Sequence, residues 1–440
     1  MESKHEIPKS KTRDLIAVWN EFNQLALKYG NANFSHGVPG LGPPKFLTET
    51  MKEVIDIPAN NHYSPVIGHA TLRSEIAKWW SPYFNGRELN PATDVLVTTG
   101  AIGAVYCIIE NLCTKGDTVH MFEPYYTCYI NCIEFAGANC STSPMYTDKD
   151  GNWHFDFDHF EKSLNENSRL LILNNPHNPT GRLFTDEEMQ RMTKILEKWP
   201  KVTVLNDEVY FFLPFDGKKM LSFANYGDNW HKTINVYSAR KMLNCTGWKV
   251  GWAIGPAALV KQAFYVHESS SFNSNVPGQV AIAKVMETMW TKEYEGHKNY
   301  FEYCVKVFEE GRAGCTQMLE KATGLKFTPT KVESGYFMCV DVTGCEDKIP
   351  AKYFAKNENY EDDKDTVVRQ MQFPEHFDKV PLDFAVCRYL AVECGISCMP
   401  VTNFCLHESE HRLERFIRIA ICRPGDQFNN PNMMGKFEKL

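Results

Sequence analysis

No apolar run in this 440-residue chain approaches the roughly 20 residues that a membrane-spanning helix requires. The opening stretch, MESKHEIPKSKTRDLIAVW, lacks the apolar core of a signal peptide, and its early glutamate is unlike a transit peptide. Fifteen cysteines are scattered through the chain, an odd number, and none forms a Cys-x-x-Cys pair. That pattern argues against a disulfide framework and predicts reduced thiols in a reducing, cytoplasmic setting. The net charge of −7 leaves no basic excess to attract nucleic acid. There is no internal repeat and no low-complexity tract. Hydrophobic content of 43% and charged content of 23% are those of an ordinary globular protein. The length suggests two or three domains, or one large domain with a satellite.

What is present is an alternation of strands and helices. DVLVTT (94–99), DTVHMFEP (117–124), RLLILNN (169–175), VTVLND (202–207) and TINVYSA (233–239) read as buried strands. GAIGAVYCIIENL reads as a helix after the first of them. Another helix opens at Thr185, where Thr-x-x-Glu forms a capping box with Glu188, followed by an apolar stripe of Met189, Met192, Ile195 and Leu196. This is the grammar of βαβ units, an α/β fold with a mostly parallel sheet. Ligands of such sheets gather at the C-terminal ends of the strands. Gly100, Glu123, Asn174, Asp207 and Ser238 all fall there.

The last third reads differently. KFTPTKVESGYFMCVDV suggests a strand pair, KNENYEDDKD (356–365) a charged loop, and FIRIAICRP (416–424) a short strand carrying an arginine. The expected division is an N-terminal arm and part of a small domain over 1–40, a large domain over 41–315, and a small α+β domain over 316–440.

Several residues carry chemistry. TTGAIG ends a strand and opens a helix, where free N–H groups can cradle a phosphate, a weak signal alone. Asp207 ends a strand, and Tyr210 follows it by three residues. NNPHNPTG is a rigid turn in which Asn178 can donate a hydrogen bond. Lys241 follows a strand and shares its segment with Ser238 and Lys249, between Tyr237, Trp248 and Trp252. A lysine held near cations and apolar groups has a lowered pKa and can form a Schiff base. Together these describe a pyridine aldehyde phosphate site: Lys241 for the aldehyde, Asp207 for the ring nitrogen, and Asn178 with Tyr210 for the ring oxygen. Tyr126 would stack on the ring, and the 100–103 turn with Ser238 and Lys249 would take the phosphate.

NNPHNPTG, NDEVY and SARKMLNCTGWKVGWAIGP resemble the pyridoxal-phosphate aminotransferases of fold type I over residues 15 to 425. Ser-x-x-Lys, separated by seven residues from a second lysine, is their most specific feature here. TGWKVGW with EPYYTCY is similar to the branch holding kynurenine aminotransferases, glutamine transaminase K and cysteine-conjugate β-lyases. The resemblance implies pyridoxal 5'-phosphate as cofactor, with Lys241 as its tether, Asp207 on the pyridine nitrogen, and Ala101, Ile102, Ser238 and Lys249 on the phosphate. It implies that Arg418 grips the substrate α-carboxylate, that Gly37 lies in a substrate loop, and that Trp19 favours aromatic side chains. Tyr63 would reach the phosphate of a neighbouring subunit, implying a homodimer. The chain departs from that branch at Ile102, at Tyr126 and at Phe272-Asn273, all around the side-chain pocket.

The expected activity is ping-pong transfer of an amino group from an aromatic or glutamine-like L-amino acid to a 2-oxo acid. Lys241, Asp207 and Tyr210 would be the catalytic residues. A lyase on the same cofactor residues, β-eliminating or aminocyclopropane-forming, is the alternative. A non-catalytic cofactor-binding protein is the third reading, opposed by the presence of both Lys241 and Arg418. HESEH (407–411) matches the His-Glu-x-x-His zinc motif, but it precedes a short strand with little helix between and no evident third ligand, so no metal is expected.

Overall fold

A computed structural model describes residues 16–30, 32–354, 379–406 and 410–438. The charged stretch at 356–365 and most of the HESEH segment lie outside the described residues.

Eight strands form the central sheet: β1 (Val95–Thr99), β2 (Thr118–Glu123), β3 (Asn139–Thr147), β4 (Trp153–Phe155), β5 (Ser168–Asn174), β6 (Thr203–Asp207), β7 (Thr233–Ser238) and β8 (Val250–Ile254). Their spatial order is β1-β8-β7-β6-β5-β2-β3-β4. The run β3-β2-β5-β6-β7 is parallel throughout. Helices cover both faces of such a sheet, so its strands are apolar on both sides instead of alternating. Accordingly every residue of β7 is buried, as is every residue of β6 after Thr203.

Strand β8 is the element that periodicity does not reveal. It runs antiparallel between β1 and β7. Its Gly251 and the preceding Gly247 and Trp248 look like turn punctuation, yet Gly251 is required by close approach. A Cβ there would stand 2.5 Å from the Ala101 nitrogen and 2.6 Å from the Gly100 carbonyl carbon. The edge hairpin of β3 and β4 is likewise not evident from the sequence pattern.

The capping box at Thr185 forms in full, with Glu188 N–H donating to Thr185 Oγ1 at 3.2 Å and Thr185 N–H to Glu188 Oε2 at 2.8 Å. The helix Asp186–Glu197 that it starts buries Met189, Met192, Ile195 and Leu196 against the sheet core.

A second sheet of four strands comprises β9 (Thr328–Pro329), β10 (Phe337–Asp341), β11 (Met399–Pro400) and β12 (Phe416–Ala420), antiparallel in the order β9-β10-β12-β11. The helix Tyr300–Glu320 leads into it and crosses position 315. The N-terminal segment packs with this second sheet's surroundings. Ala32–Asn33 pairs in parallel with Ile396–Ser397, and Glu21 meets Arg388 in a buried ion pair at 2.6 Å. Ser397 Oγ donates to the Phe22 carbonyl at 2.9 Å.

Candidate active site

A cleft of about 490 Å³ opens over the C-terminal ends of the central strands, closed on its other side by residues 19 and 36–38 and by β10 and β12. Of the five strand-end residues named from sequence, Asn174 and Asp207 line it, and Gly100 and Ser238 are chain neighbours of its lining residue Ala101 and of the turn that carries Lys241. Glu123 is buried outside this lining, accepting from the Leu406 N–H at 2.6 Å and from Arg412 at 2.8 Å.

Lys241 lies in the helical turn Ala239–Met242 directly after β7, and its side chain is buried. Its Nζ donates to the Gly37 carbonyl at 3.1 Å and sits 4.4 Å from the Tyr336 ring centre and 5.2 Å from that of Tyr210. Burial, with help from the neighbouring Arg240 charge, lowers its pKa to about 7. Gly37 must be small, because a Cβ there would come within 2.5 Å of the Phe337 ring and 3.4 Å of Lys241 Nζ.

Asp207 closes β6. Tyr129 Oη donates to its Oδ2 at 2.7 Å, and the Val209 N–H reaches its Oδ1 at 3.3 Å. Burial pushes this carboxyl up to about 6 against both hydrogen bonds. Asn174 braces the same corner. Its Nδ2 donates to the Asp207 carbonyl at 3.0 Å, and its Oδ1 accepts the Asn178 N–H at 2.7 Å.

Arg418, in the middle of β12, is fully buried. Its Nη2 donates to the Ser35 carbonyl at 2.7 Å and its Nη1 to Asn178 Oδ1 at 3.2 Å. Its guanidinium carbon lies 3.9 Å from the Phe337 ring centre, 4.5 Å from Phe404 and 5.1 Å from Trp19. Its Nε is buried with no partner, and its partners among the described residues are neutral. A guanidinium held this way, with its pKa brought down to about 10 by burial, is stabilised by an incoming carboxylate. Because Arg418 takes the Asn178 oxygen, the Asn178 amide hydrogens remain for a ligand.

A second anion site lies at the start of the helix Gly100–Leu112, where Ala101 and Ile102 line the cleft. Ser238 pairs in register with Gly251, which packs on the Gly100–Ala101 backbone, and Ser238 Oγ is buried without a partner. Lys249 is exposed and passes close to Gly100. An unpartnered buried hydroxyl beside unpaired helix N–H groups suits a phosphate. Tyr126 forms part of the cleft wall, edge-on to Tyr129 at 5.5 Å.

The structure therefore gathers Lys241, Asp207, Asn178, Tyr210, Tyr126 and Arg418 with Gly37, Trp19, Ala101 and Ile102 around one cleft. Tyr63 is not part of it. It is 83% exposed and edge-on to Phe272 at 5.6 Å. Tyr129, Arg240 and His36 are among the cleft residues that carried no functional reading in the sequence. Tyr129 and Arg240 lay inside motifs already quoted, EPYYTCY and SARKM, and His36 inside SHGVPG.

A family model described as Aminotransferase class I and II matches residues 30–428. The chain is 30% identical to kynurenine–oxoglutarate transaminase of Dictyostelium discoideum, over 92% of this chain and 90% of that protein. It is 28% identical to kynurenine–oxoglutarate transaminase 3 of Homo sapiens, over 92% of this chain and 84% of that protein. Among solved structures it superposes on Bna3p, a candidate kynurenine aminotransferase of Saccharomyces cerevisiae, with a TM-score of 0.83, 28% identity and 99% of both chains covered.

Proposed function

The chain belongs to the class I and II aminotransferases, pyridoxal-phosphate enzymes that move an amino group from an amino acid to a 2-oxo acid, and on that premise we propose that its donors are aromatic and glutamine-like L-amino acids, kynurenine among them. The observation that carries this reading is Trp19, which lines the cleft 5.1 Å from the guanidinium of Arg418. A donor whose α-carboxylate is held by Arg418 lays its side chain against that indole. The names of the relatives support the same substrate class.

The residues present fit pyridoxal 5'-phosphate. The orphaned Ser238 hydroxyl, the N–H groups at Ala101 and Ile102, and Lys249 would hold its phosphate. Asp207 would hold the proton on its ring nitrogen, Asn178 and Tyr210 would address its ring oxygen, and Tyr126 would cover a face. When bound, this cofactor supplies an aldehyde that takes the amino group and a ring that absorbs the electron pair left at the α-carbon.

The chain's own residues do the rest. Arg418 fixes the α-carboxylate in a two-pronged grip and so orients the Cα–H bond. Lys241, whose pKa burial lowers to about 7, has a substantial neutral fraction at neutral pH, so its Nζ can take up that proton and would hold it for return to the bound adduct. Asp207, paired with a cationic ring N–H, gains the partner that its burial otherwise denies it. Gly37, Phe337 and Trp19 line the side of the cleft opposite the strand ends, where a bound donor would leave less room for water.

The protein acts as a homodimer in this reading, with Tyr63 serving the neighbouring subunit's phosphate. The exposure of Tyr63 outside its own cleft supports that. A cytoplasmic location is supported by the scattered set of fifteen cysteines.

The test is one table of kcat/KM. Arg418→Ala should reduce every donor evenly and severely, since losing one half of a desolvated ion pair costs about 2–5 kcal/mol. Trp19→Ala should penalise tryptophan, phenylalanine and kynurenine while sparing alanine, an aromatic contact being worth about 0.5–1.5 kcal/mol beyond area burial. If Trp19→Ala lowers all donors equally, the aromatic-pocket reading is wrong.

A further inference from the structure

The wall of the cleft beside Trp19 carries, besides Arg418, the polar side chain of His36, whose hydrogen-bonding state is fixed by the residues behind it. Asn33 Oδ1 accepts the Ser35 backbone N–H at 3.1 Å, which identifies that atom as the amide oxygen. Ser35 Oγ lies 2.6 Å from the same oxygen and must donate its single hydrogen there. Ser35 Oγ also lies 2.8 Å from His36 Nδ1. With its hydrogen already committed, Ser35 Oγ can only accept from the imidazole, so the ring hydrogen sits on Nδ1. Nδ1 is engaged with Ser35, which leaves Nε2, with no hydrogen-bond partner among the described residues, as the ring nitrogen available to the cleft that His36 lines. Trp19 packs on the imidazole at 5.2 Å and holds its plane. Burial and the nearby Arg418 charge both lower the imidazole pKa, so the ring is neutral at neutral pH.

We propose that His36 is a specificity-determining residue, its Nε2 accepting a hydrogen bond from the side chain of the amino donor, so that donors ending in an N–H or O–H group are selected over those ending in a carboxylate. This rests on the proposed function, because the donor is placed by Arg418, whose Nη2 is held by the carbonyl of Ser35, the residue next to His36. With the α-carboxylate on that guanidinium and the α-carbon at Lys241, the side chain extends along Trp19 and His36. A carboxamide, an anilino amine or an indole N–H can meet the lone pair. An apolar chain of the same length leaves it unmatched, and a carboxylate oxygen opposes it acceptor to acceptor. A site built around a hydrogen bond discriminates against the analogue that lacks it. The Ser35 and Asn33 side chains are positioning groups, acting on the donor only by fixing the hydrogen on Nδ1.

The experiment measures kcat/KM for L-glutamine, L-methionine and L-glutamate with one fixed 2-oxo acid, on the holoenzyme and three variants. Glutamine and methionine are close in length, and only glutamine donates. The wild type should prefer glutamine to both. In His36→Phe the glutamine-to-methionine ratio should fall about fivefold to tenfold, the size of one net hydrogen bond. In His36→Gln, which keeps an acceptor and adds a donor, that ratio should recover while glutamate improves relative to glutamine. In Ser35→Ala the backbone carbonyl that holds Arg418 is retained but the tautomer is released, and glutamate should gain on glutamine by about threefold, a fraction of that hydrogen bond. A wild type that favours methionine or glutamate over glutamine overturns the proposal. So does a His36→Phe variant in which the three donors change in parallel. A wild type that follows the expected order for these three donors but ignores aromatic ones would overturn the broader donor assignment and leave the His36 assignment standing.

Discussion

Lys241 carries the clearest consequence of its surroundings. An exposed lysine is half-protonated near pH 10.4, whereas burial and Arg240 bring this one to about 7. The sign follows from the depressed value: the neutral, reactive amine accumulates as pH rises through 7, and protonation removes it below 7. In cofactor-free protein a small amine-reactive reagent should therefore modify Lys241 with a midpoint near pH 7, read by peptide mass spectrometry against the exposed lysines as internal controls. A midpoint with the exposed lysines, above pH 10, would show that the amine is solvated. Asp207 shifts in the opposite sense, up to about 6. Its burial favours the protonated form, and a cationic partner would favour the carboxylate. The two residues lean on each other, each lowering the cost of the other's charge.

Secondary-structure elements place these side chains, and two substitutions separate scaffold from site. Thr185→Ala removes one half of a capping box on a helix remote from the cleft. It should cost about 1 kcal/mol of stability and leave cofactor affinity as it was. Gly251→Ala forces a methyl onto the backbone of Gly100 and Ala101. Overpacking of this kind costs about 1–3 kcal/mol, and here it also displaces the helix start that faces the phosphate. Denaturant unfolding and cofactor titration of both variants check this. Equal cofactor affinity in the two would detach Gly251 from the anion site. The same elements show what a sequence can disclose. Strands β1, β2, β5, β6 and β7 are runs rich in β-branched and apolar residues ending in a polar residue, so both their existence and their functional ends were readable. Strand β8 was not, because Gly251 serves a close approach that only the folded sheet creates. Lys241 and Asp207 stood out as charges at the ends of apolar strands, whereas the role of Arg418 came from the resemblance alone. Tyr129, Arg240 and His36 were not readable, since a tyrosine in a helix, a second cation beside Lys241 and a histidine in a loop each gain meaning only from a neighbour distant in sequence.

On the scale of the whole molecule, the described surface leaves Tyr63, Phe272, Ile55 and Ile57 about half or more exposed, Tyr63 most of all. A dimer that uses Tyr63 would cover aromatic surface and complete each phosphate site at once. Sedimentation should show a dimer, and Tyr63→Phe should weaken cofactor binding while the dimer persists, since the lost group is a hydroxyl and the ring remains. A fully active monomer would end that reading.

The cleft also divides along the chain. Cofactor-facing residues come from positions 100–249, while the donor wall comes from the ends: Trp19, His36 and Gly37 on one side, Phe337 and Arg418 on the other. The N-terminal helix is locked to the second sheet's surroundings by the buried Glu21–Arg388 pair and by Ser397 on Phe22. Heritable change can then act on the two tasks separately. If the 19–38 wall selects the donor as proposed, a handful of codons there would redirect which amino acid the enzyme draws on, while the machinery for moving its nitrogen is inherited untouched.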